Sequence, residues 1–231
     1  MNLNNAFNPK VYNTYIIKIK DNEISESMAA RCAQSCDLIG QQYEYFDAVD
    51  GTGDSLVLPN EPILKLVKLT NTALTQGEAA CFLSHFLLWV KCAELDQPIV
   101  ILEHDAIMVR KYEVHPFFNI VNYLGSIEQF NGSFSFQFPM PPQGQLNENF
   151  RFMLRAHAYA IDPMMARSLI SKVIKAGIFT SADIIFRIDE FAIIQDGFYA
   201  YDLSGPTTIG GRELKPDSIP LTTMNYSLQG S

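Results

Sequence analysis

The sequence contains little that would suit it to binding nucleic acid or crossing a membrane. Its 17 basic residues are outnumbered by 25 acidic ones, so the formal net charge is −8, and no block of lysine or arginine interrupts this balance. Without a positive patch to meet a phosphate backbone, nucleic acid is not an expected partner. The longest apolar runs, such as Ile99–Leu102, are far shorter than the roughly 20 residues that span a bilayer.

Cysteine is also scarce, and a signal peptide is not visible. The four cysteines, at positions 32, 36, 81 and 92, form no Cys-x-x-Cys pair, and the polar stretch Met1–Asn5 lacks the apolar core of a leader. We therefore expect reduced thiols in a cytoplasmic protein without a transmembrane segment. Peripheral contact with a membrane is left open by these features.

The residues that are present predict one large α/β domain. With 231 residues, 48% of them hydrophobic, the chain can bury a sizeable core. Tyr12–Ile19 and Tyr43–Gly51 have the composition of strands, and Glu23–Leu38 has helical spacing, so they predict a β-α-β unit with parallel strands. We expect residues 1–203 to form a single domain with a mostly parallel sheet flanked by helices. Residues 204–231, rich in Gly, Pro and Ser, are expected to form a tail.

The remaining elements are predicted from local signals. Thr75 and Glu78 match a capping box at the start of a helix whose polar side carries Cys81 and His85. The other expected elements are a loop over 52–72, a helix over 112–124, strands over 133–138 and 155–161, a helix from Asp162-Pro163 to Ala176, a short helix over 184–188 and a strand over 191–199.

The segment Pro98–Met108 carries the clearest sign of a functional site. An apolar run typical of a buried strand ends in Glu103, His104 and Asp105. Open α/β sheets bind ligands at the carboxyl ends of their strands, and in an extended segment Glu103 and Asp105 would point the same way. Two such carboxylates suit a divalent cation that also touches phosphate. The alternative is a solvated strand-to-loop junction without a ligand.

Two stretches together resemble glycosyltransferase family 25, which includes lipooligosaccharide and collagen galactosyltransferases. The first is the helix with Thr75, Gly77, Glu78, Cys81, Ser84 and His85, and the second is the strand end Ile101-Leu-Glu-His-Asp105. The stretches Phe46–Gly51 and His157–Tyr159 are also similar to the family's pattern, and the likeness spans roughly Tyr15 to Asp202. Two departures are His104, where the family has an acid, and Ile17–Lys20, where it has an Asn-Leu-Asp-Arg ending.

The resemblance implies a GT-A-like, Rossmann-type fold and a metal-assisted, inverting transfer of a hexose, galactose or glucose, from a UDP-sugar to a glycan or other hydroxyl acceptor. It places the chain among proteins of lipopolysaccharide biosynthesis. Mn²⁺ or another divalent metal would be bound by Asp105 and Glu103, with His104 as a further candidate. The donor would be contacted by the residues Asp50, Gly51, Ser84, His85 and Glu103.

The resemblance points to Asp183 as the base that deprotonates the acceptor, with Asp189 and Glu190 in reserve. Each assignment has a structural alternative. Asp183 would suit a helix N-cap, and Asp50-Gly51 would suit a simple turn. His85 and His104 would suit packed or hydrogen-bonded histidines, and His157 is equally compatible with a strand core or the acceptor side.

Three functions are compatible with this pattern. The first is the metal-dependent glycosyltransferase. The second is a catalytically inactive relative that binds a sugar nucleotide or a partner protein, which the two departures favour. The third is a metal-dependent hydrolase or nucleotidyl enzyme with a similar acidic strand end. Release of UDP that requires metal separates the first from the other two.

Overall fold

The computed structural model describes residues 12–53, 56, 58–111, 119–123, 156–187, 190–191, 193–194 and 199–202. Within these ranges the strands are β1 (Asn13–Lys18), β2 (Glu44–Asp47), β3 (Ile99–Glu103), β4 (Ala106–Met108), β5 (Ile120–Asn122), β6 (Ala158–Ile161), β7 (Ile193–Ile194) and β8 (Ala200–Asp202). The helices are α1 (Glu23–Leu38), α2 (Gln76–Leu95), α3 (Pro163–Ala176) and α4 (Ala182–Ile185), and Pro62–Leu66 forms a 3-10 turn.

Six strands form one mixed sheet in the order β2-β1-β3-β6-β5-β7. The pairs β2–β1, β1–β3 and β5–β7 are parallel, while β6 is antiparallel to both β3 and β5. All strands of this sheet except β6 therefore run in the same direction. This confirms the prediction of an α/β fold with a mostly parallel sheet.

The alternation of side chains along the strands divides the core into two layers. On one face of the sheet, Ile99, Ile101 and Tyr159 pack with α2, α3 and α4. On the other face, Val100 and Leu102 pack with α1 and with the small ribbon formed by β4 and β8. The central strand β3 is thus covered on both sides, as its unbroken apolar run predicts.

Helix α2 is fixed in the core by its start and by its aromatic residues. The capping box is complete: the Glu78 amide donates to the Thr75 hydroxyl, and the Glu78 carboxylate accepts from the Thr75 amide. Phe82, Phe86 and Trp89 are fully buried, and the Trp89 ring packs edge-on against both phenylalanines. Burial of each such side chain contributes about 1.5–3 kcal/mol, so tertiary packing holds this helix in register.

The predicted starts of the other long helices are also confirmed. The Asn22 side chain accepts from the Ser25 amide at the start of α1. The Asp162 side chain accepts from the Met165 amide at the start of α3, whose first residue is Pro163. These local signals place both helices against the sheet as expected.

One predicted element is wrong where it is described. Residues 120–122, expected to be helical, form strand β5 between β6 and β7, because pairing with two distant strands outweighs the local pattern. The strand β3 ends at Glu103, as the acidic residues after its apolar run predict, and a turn at His104-Asp105 leads into β4. Of the strand expected over 191–199, Ile193–Ile194 is described as β7, and Ala200–Asp202 beyond it pairs with β4. The predicted strand over 133–138 and the tail over 204–231 lie outside the described residues.

Among the described helices, we find none that combines the length and the apolar character needed to cross a bilayer.

Candidate active site

The carboxyl ends of the parallel strands meet at one edge of the sheet. In the strand registers, Lys18 of β1 is opposite Asp47 of β2, and Ile17 is opposite Glu103 of β3. The antiparallel strand β6 begins at this edge, where the Glu103 amide donates to the His157 carbonyl at 2.7 Å. This carboxyl edge is where open α/β sheets bind their ligands.

Glu103 turns its carboxylate toward α2. Its Oε1 lies 3.0 Å from Nε2 of His85 and 3.8 Å from Sγ of Cys81. The Glu103 side chain keeps 27% of its surface exposed, whereas His85 is fully buried. The carboxylate is therefore held from the protein side while remaining accessible from solvent.

A chain of hydrogen bonds fixes the His85 ring behind this carboxylate. The Tyr159 hydroxyl accepts from Nε1 of Trp89 at 2.9 Å and lies 2.8 Å from Nδ1 of His85. An ionised carboxylate only accepts, so the proton between His85 and Glu103 belongs to Nε2, and when the ring is neutral Tyr159 donates to Nδ1. Burial raises the pKa of Tyr159 well above its usual range, which keeps this hydroxyl protonated. His85 thus orients Glu103.

The acidity of Glu103 reflects these partners. Burial alone would raise the pKa of its carboxyl, but the hydrogen bond from His85 and the nearby His104 and His157 lower it to about 2. The carboxylate is consequently ionised at any physiological pH, as a cation ligand must be.

This depressed pKa predicts a specific pH dependence of stability. A carboxyl whose pKa falls from 4.5 in the unfolded chain to about 2 in the fold stabilises the protein above pH 4.5, and that contribution is lost as the pH falls toward 2. We expect Glu103→Gln to be less stable than the wild type at neutral pH, with the difference shrinking through this window. Urea unfolding in the presence of a metal chelator measures it, and a difference independent of pH would contradict the assignment.

Two further predicted carboxylates, Asp105 and Asp183, act electrostatically on Cys81. Negative charge on Glu103, Asp183 and Asp105 adds to burial in raising the pKa of the Cys81 thiol, which places all three acids within electrostatic reach of one side chain. Asp183 Oδ1 accepts from the Ala156 amide at 3.5 Å, just before β6. This contact places Asp183 next to His157, whose carbonyl accepts from the Glu103 amide.

The alternative role of Asp183, as the N-cap of a helix, can be compared with the local structure. Ser181 is the N-cap of α4, and its side chain makes no capping hydrogen bond. Asp183 lies within the first turn and directs an oxygen to the chain entering β6. Its carboxylate thus faces the carboxyl edge, and its role as the base stays a prediction.

His104 lies on the opposite face of the sheet from Glu103. Its Nδ1 is 2.9 Å from the Ser25 hydroxyl at the start of α1, and that hydroxyl also accepts from the Ile19 amide. Burial lowers the pKa of the His104 imidazole. The His104 ring is therefore the hydrogen-bonded histidine that was the alternative, and its influence on Glu103 is electrostatic.

The donor set for a divalent metal can be judged from these positions. Glu103 and Asp105 offer hard carboxylate oxygens in a region of negative charge, which suits Mn²⁺ or Mg²⁺. Among the described residues, the group whose ligand atoms all lie within 4.8 Å of one another is a different set, Cys81, His85 and Glu103. The oxygen ligands thus fit the expected metal, whereas His104 does not join them.

Asp50, Gly51 and Ser84 connect the end of β2 to α2. The Ser84 hydroxyl accepts from the Val49 amide at 2.9 Å and donates to the Ala80 carbonyl, and the side chain is almost fully buried. Asp50 Oδ1 accepts from both the amide and the hydroxyl of Thr52, and these bonds lower its pKa. The turn predicted as the alternative is therefore present, and the donor contact stays a prediction.

Gly51 is required by close packing. A Cβ at this position would lie 2.7 Å from the Ala80 Cβ and 2.7 Å from the Gln76 carbonyl oxygen. Because helix backbone cannot move away cheaply, we expect Gly51→Ala to destabilise the fold by about 1–3 kcal/mol in urea unfolding. Gly53→Ala is the matched control, since nothing lies within 4 Å of a Cβ there. Equal stability of the two variants would contradict this packing.

Sequence reasoning gave no role to two residues that organise the site. Cys81 contacts Glu103, and its spacing of four from His85 on α2 was the available signal. Tyr159 joins His85 to Trp89 across 70 residues or more of sequence, for which no local pattern exists.

A separate cavity of about 640 Å³ lies at the other edge of the sheet. It is lined by residues at the starts of β1 and β2 and the end of α1, among them Thr14, Asp37, Gln41 and Tyr43. None of the predicted site residues lines it. This cavity therefore does not coincide with the predicted site.

Two known proteins are similar to part of this chain. Part of the chain is 32% identical over 72 residues to the lipooligosaccharide biosynthesis protein lic2B of Haemophilus influenzae, covering 29% of this chain and 24% of that protein. It is 36% identical over 73 residues to a glycosyltransferase 25 family member of Drosophila pseudoobscura pseudoobscura, covering 29% of this chain and 12% of that protein. The matches thus span about a quarter or less of these relatives.

A solved glycosyltransferase involved in glycosylation of the major capsid of PBCV-1 aligns over 83% of this chain and 93% of its own, with 9% identity and a TM-score of 0.42. The family described as glycosyltransferase family 25 (LPS biosynthesis protein) matches residues 11–134. Since this match covers more than half of the 231 residues, the chain belongs to glycosyltransferase family 25.

Proposed function

We propose that the protein transfers a hexose, galactose or glucose, from a UDP-sugar to a hydroxyl group of a glycan, with inversion at the anomeric carbon. The observation that carries this proposal is the pair of anchored carboxylates at the carboxyl edge of the sheet: His85 holds Glu103 at 3.0 Å, and Asp183 accepts from the Ala156 amide just before β6. Membership of the family supports a sugar-nucleotide donor and a GT-A type of site. The family description and the name of lic2B favour a lipooligosaccharide-type acceptor.

Asp105 and Glu103 are the residues proposed to hold a divalent metal, Mn²⁺ in the first instance. When bound, this ion stabilises the negative charge that develops on the departing diphosphate. Glu103 arrives already ionised and oriented, because His85 donates to its Oε1 at 3.0 Å. The lone pairs of the Glu103 carboxylate that His85 does not use can then bind the metal or the hydroxyls of the donor.

His85 and Ser84 are proposed to act as positioning residues. His85 is fully buried and Ser84 nearly so, and both use their polar atoms within the protein. His85 holds Glu103, while Ser84 holds the segment that leads to Asp50 and Gly51. That segment is proposed to contact the ribose or base of the donor at the end of β2.

Asp183 is proposed to remove the proton from the acceptor hydroxyl. Inverting transfer needs a base on the acceptor side of the sugar, and a carboxylate within the site can supply it. Asp183 reaches the site from α4, on a different element from Glu103 and Asp105. This separation allows one carboxylate to face the acceptor while the others face the diphosphate.

Release of UDP tests the proposal. The purified protein is incubated with UDP-galactose, UDP-glucose and other UDP-sugars, with and without Mn²⁺ and a glycan acceptor. Release that requires both metal and a sugar on the nucleotide supports it. Turnover of nucleotides that carry no sugar would instead indicate a hydrolase.

An inactive, sugar-nucleotide-binding relative is the second candidate. His104 replaces an acid of the family pattern, and its ring contacts Ser25 on the far face of the sheet. The first strand ends at Lys18 and is followed by Ile19 and Lys20, and Lys18 pairs with Glu26 and Asp47 at 3.1 and 3.6 Å. Binding of UDP-sugars without UDP release under any metal condition would favour this candidate.

A further inference from the structure

Three potential ligands of different chemistry converge beside the carboxyl edge. Glu103 Oε1 lies 3.0 Å from His85 Nε2 and 3.8 Å from Cys81 Sγ, and the ligand atoms of the trio all lie within 4.8 Å of one another. Around a tetrahedral zinc ion with bonds of 2.0–2.3 Å, ligand atoms are separated by about 3.3–3.8 Å. The trio therefore needs a movement of only about 1 Å to surround such an ion.

The backbone already presents these ligands from two rigid elements. Cys81 and His85 are four residues apart on α2, so they share one face of the helix, as paired metal ligands on helices do. The helix is held by its capping box and by the buried Trp89. Glu103 ends β3, where its amide is bound to the His157 carbonyl.

The far side of the His85 ring has the support that metal-binding histidines need. Such residues engage their second ring nitrogen with a fixed partner, which orients the ring and sets its tautomer. Nδ1 of His85 lies 2.8 Å from the Tyr159 hydroxyl, which Trp89 holds in turn. If Nε2 binds a metal, Nδ1 carries the proton and donates a hydrogen bond to the Tyr159 oxygen, whose own hydrogen then turns away from the ring.

Charge and access are also compatible with a cation. Asp105 and Asp183 act electrostatically on Cys81 together with Glu103, so a positive ion is favoured at this point. Cys81 and Glu103 are partly exposed, which gives an ion a way in. A thiolate and an imidazole prefer Zn²⁺ or Co²⁺, whereas carboxylates and water suffice for Mn²⁺ and Mg²⁺.

We propose that Cys81, His85 and Glu103 form a binding site for Zn²⁺ or a similar thiophilic divalent cation, with water as the fourth ligand. Binding releases the thiol proton of Cys81 to solvent, and the proton of His85 is exchanged from Nε2 to Nδ1. One thiolate and one carboxylate then balance the two charges of the ion. Nothing is oxidised or reduced.

Cobalt absorption tests this site directly. Co²⁺ is titrated into the full chain, after removal of bound metals with a chelator, and the thiolate-to-cobalt charge-transfer band is followed. The proposal expects a band that saturates at one equivalent, is lost in Cys81→Ser and Cys81→Ala, and is displaced by Zn²⁺. Absence of the band in the wild type, or its persistence in both variants, would overturn the proposal.

Cys92→Ser is the matched control. Cys92 lies on the same helix, and its thiol is directed to the carbonyls of Gln97 and Ile161 at 3.4 and 3.6 Å. We expect this variant to keep the cobalt band. Loss of the band in Cys92→Ser as well as in the Cys81 variants would also count against the assignment, since both thiols would then merely affect folding.

A second consequence rests on the proposed function. An ion bound by the trio uses the Glu103 carboxylate, so Zn²⁺ should inhibit Mn²⁺-dependent transfer. Half inhibition of Cys81→Ser should need at least tenfold more Zn²⁺ than half inhibition of the wild type. The activity of each protein is expressed relative to its own activity in Mn²⁺ alone. Equal sensitivity of the two proteins would refute this consequence. A cobalt band in a protein without transfer activity would contradict the proposed function but not the zinc site. Transfer activity without a cobalt band would contradict the zinc site but not the proposed function.

Discussion

Replacing Asp105 with alanine is expected to lower Mn²⁺-dependent release of UDP by about 10³-fold or more, because the variant would lose a carboxylate proposed to hold the metal ion that steadies the charge on the leaving diphosphate. Asp105 lies at the turn directly after β3, two residues beyond Glu103, and its charge acts on Cys81. Removing it should also weaken the apparent affinity for Mn²⁺, since one of two proposed oxygen ligands is gone. Both effects are measured in a coupled assay across a range of Mn²⁺ concentrations.

Asp47→Ala is the control for this substitution. Asp47 ends β2 at the same edge of the sheet, but its side chain is 61% exposed and pairs with Lys18 at 3.6 Å. It should keep activity within about twofold, since exposed ion pairs contribute little. If Asp105→Ala retained wild-type activity and Mn²⁺ dependence, the assignment of Asp105 to the metal would be wrong.

Asp183→Asn is expected to lower the turnover number for transfer by about 10²–10⁴-fold, which is the usual contribution of a general base. Asparagine has the same shape and can still accept from the Ala156 amide, so the fold should survive. Affinity for the UDP-sugar should change little, because the base acts on the acceptor. Steady-state transfer kinetics, with donor binding measured by calorimetry, separate these two quantities.

Glu190→Gln provides the comparison, because Glu190 was the reserve candidate for the base. Its carboxylate is paired with Lys172 and with Arg187 at 3.1 Å, so it is committed to neutralising cations. We expect this variant to retain most of its activity. A larger loss in Glu190→Gln than in Asp183→Asn would transfer the role of base away from Asp183.

The elements that sequence reasoning predicted well are those with a complete local signal. Thr75 and Glu78 form both hydrogen bonds of the capping box that their spacing indicates. Asp162 caps α3 as its position before Pro163 predicts. The apolar run of β3 indicates burial on both faces, and its carboxyl end carries the acidic group. In each case the information lies within a few residues.

What could not be predicted depends on contacts between distant parts of the chain. The pairing of Ala106–Met108 with Ala200–Asp202 in a separate ribbon joins segments that are more than 90 residues apart, and no local pattern indicates it. Residues 120–122 are a strand because β6 and β7 flank them. The contact of Tyr159 with His85 likewise joins α2 to β6, and no spacing rule anticipates it.

These distant contacts change the roles expected for His85 and His104. Sequence reasoning treated His85 and His104 as donor or metal contacts. The structure instead shows His85 orienting Glu103 and His104 tied to Ser25. Of the three residues predicted to bind metal, His104 is directed to Ser25, and the roles of Glu103 and Asp105 stay predictions.

The central claim is that the carboxylates at the carboxyl edge hold the metal ion, and that this ion binds the diphosphate of the donor. A crystal grown with UDP and Mn²⁺, measured for the anomalous signal of manganese, tests it most directly. The account predicts a manganese peak at coordination distance from Asp105, with Glu103 beside it and the diphosphate bridging to the ion. A nucleotide bound in the cavity lined by Asp37 and Gln41, or a manganese peak remote from Asp105 and Glu103, would contradict it.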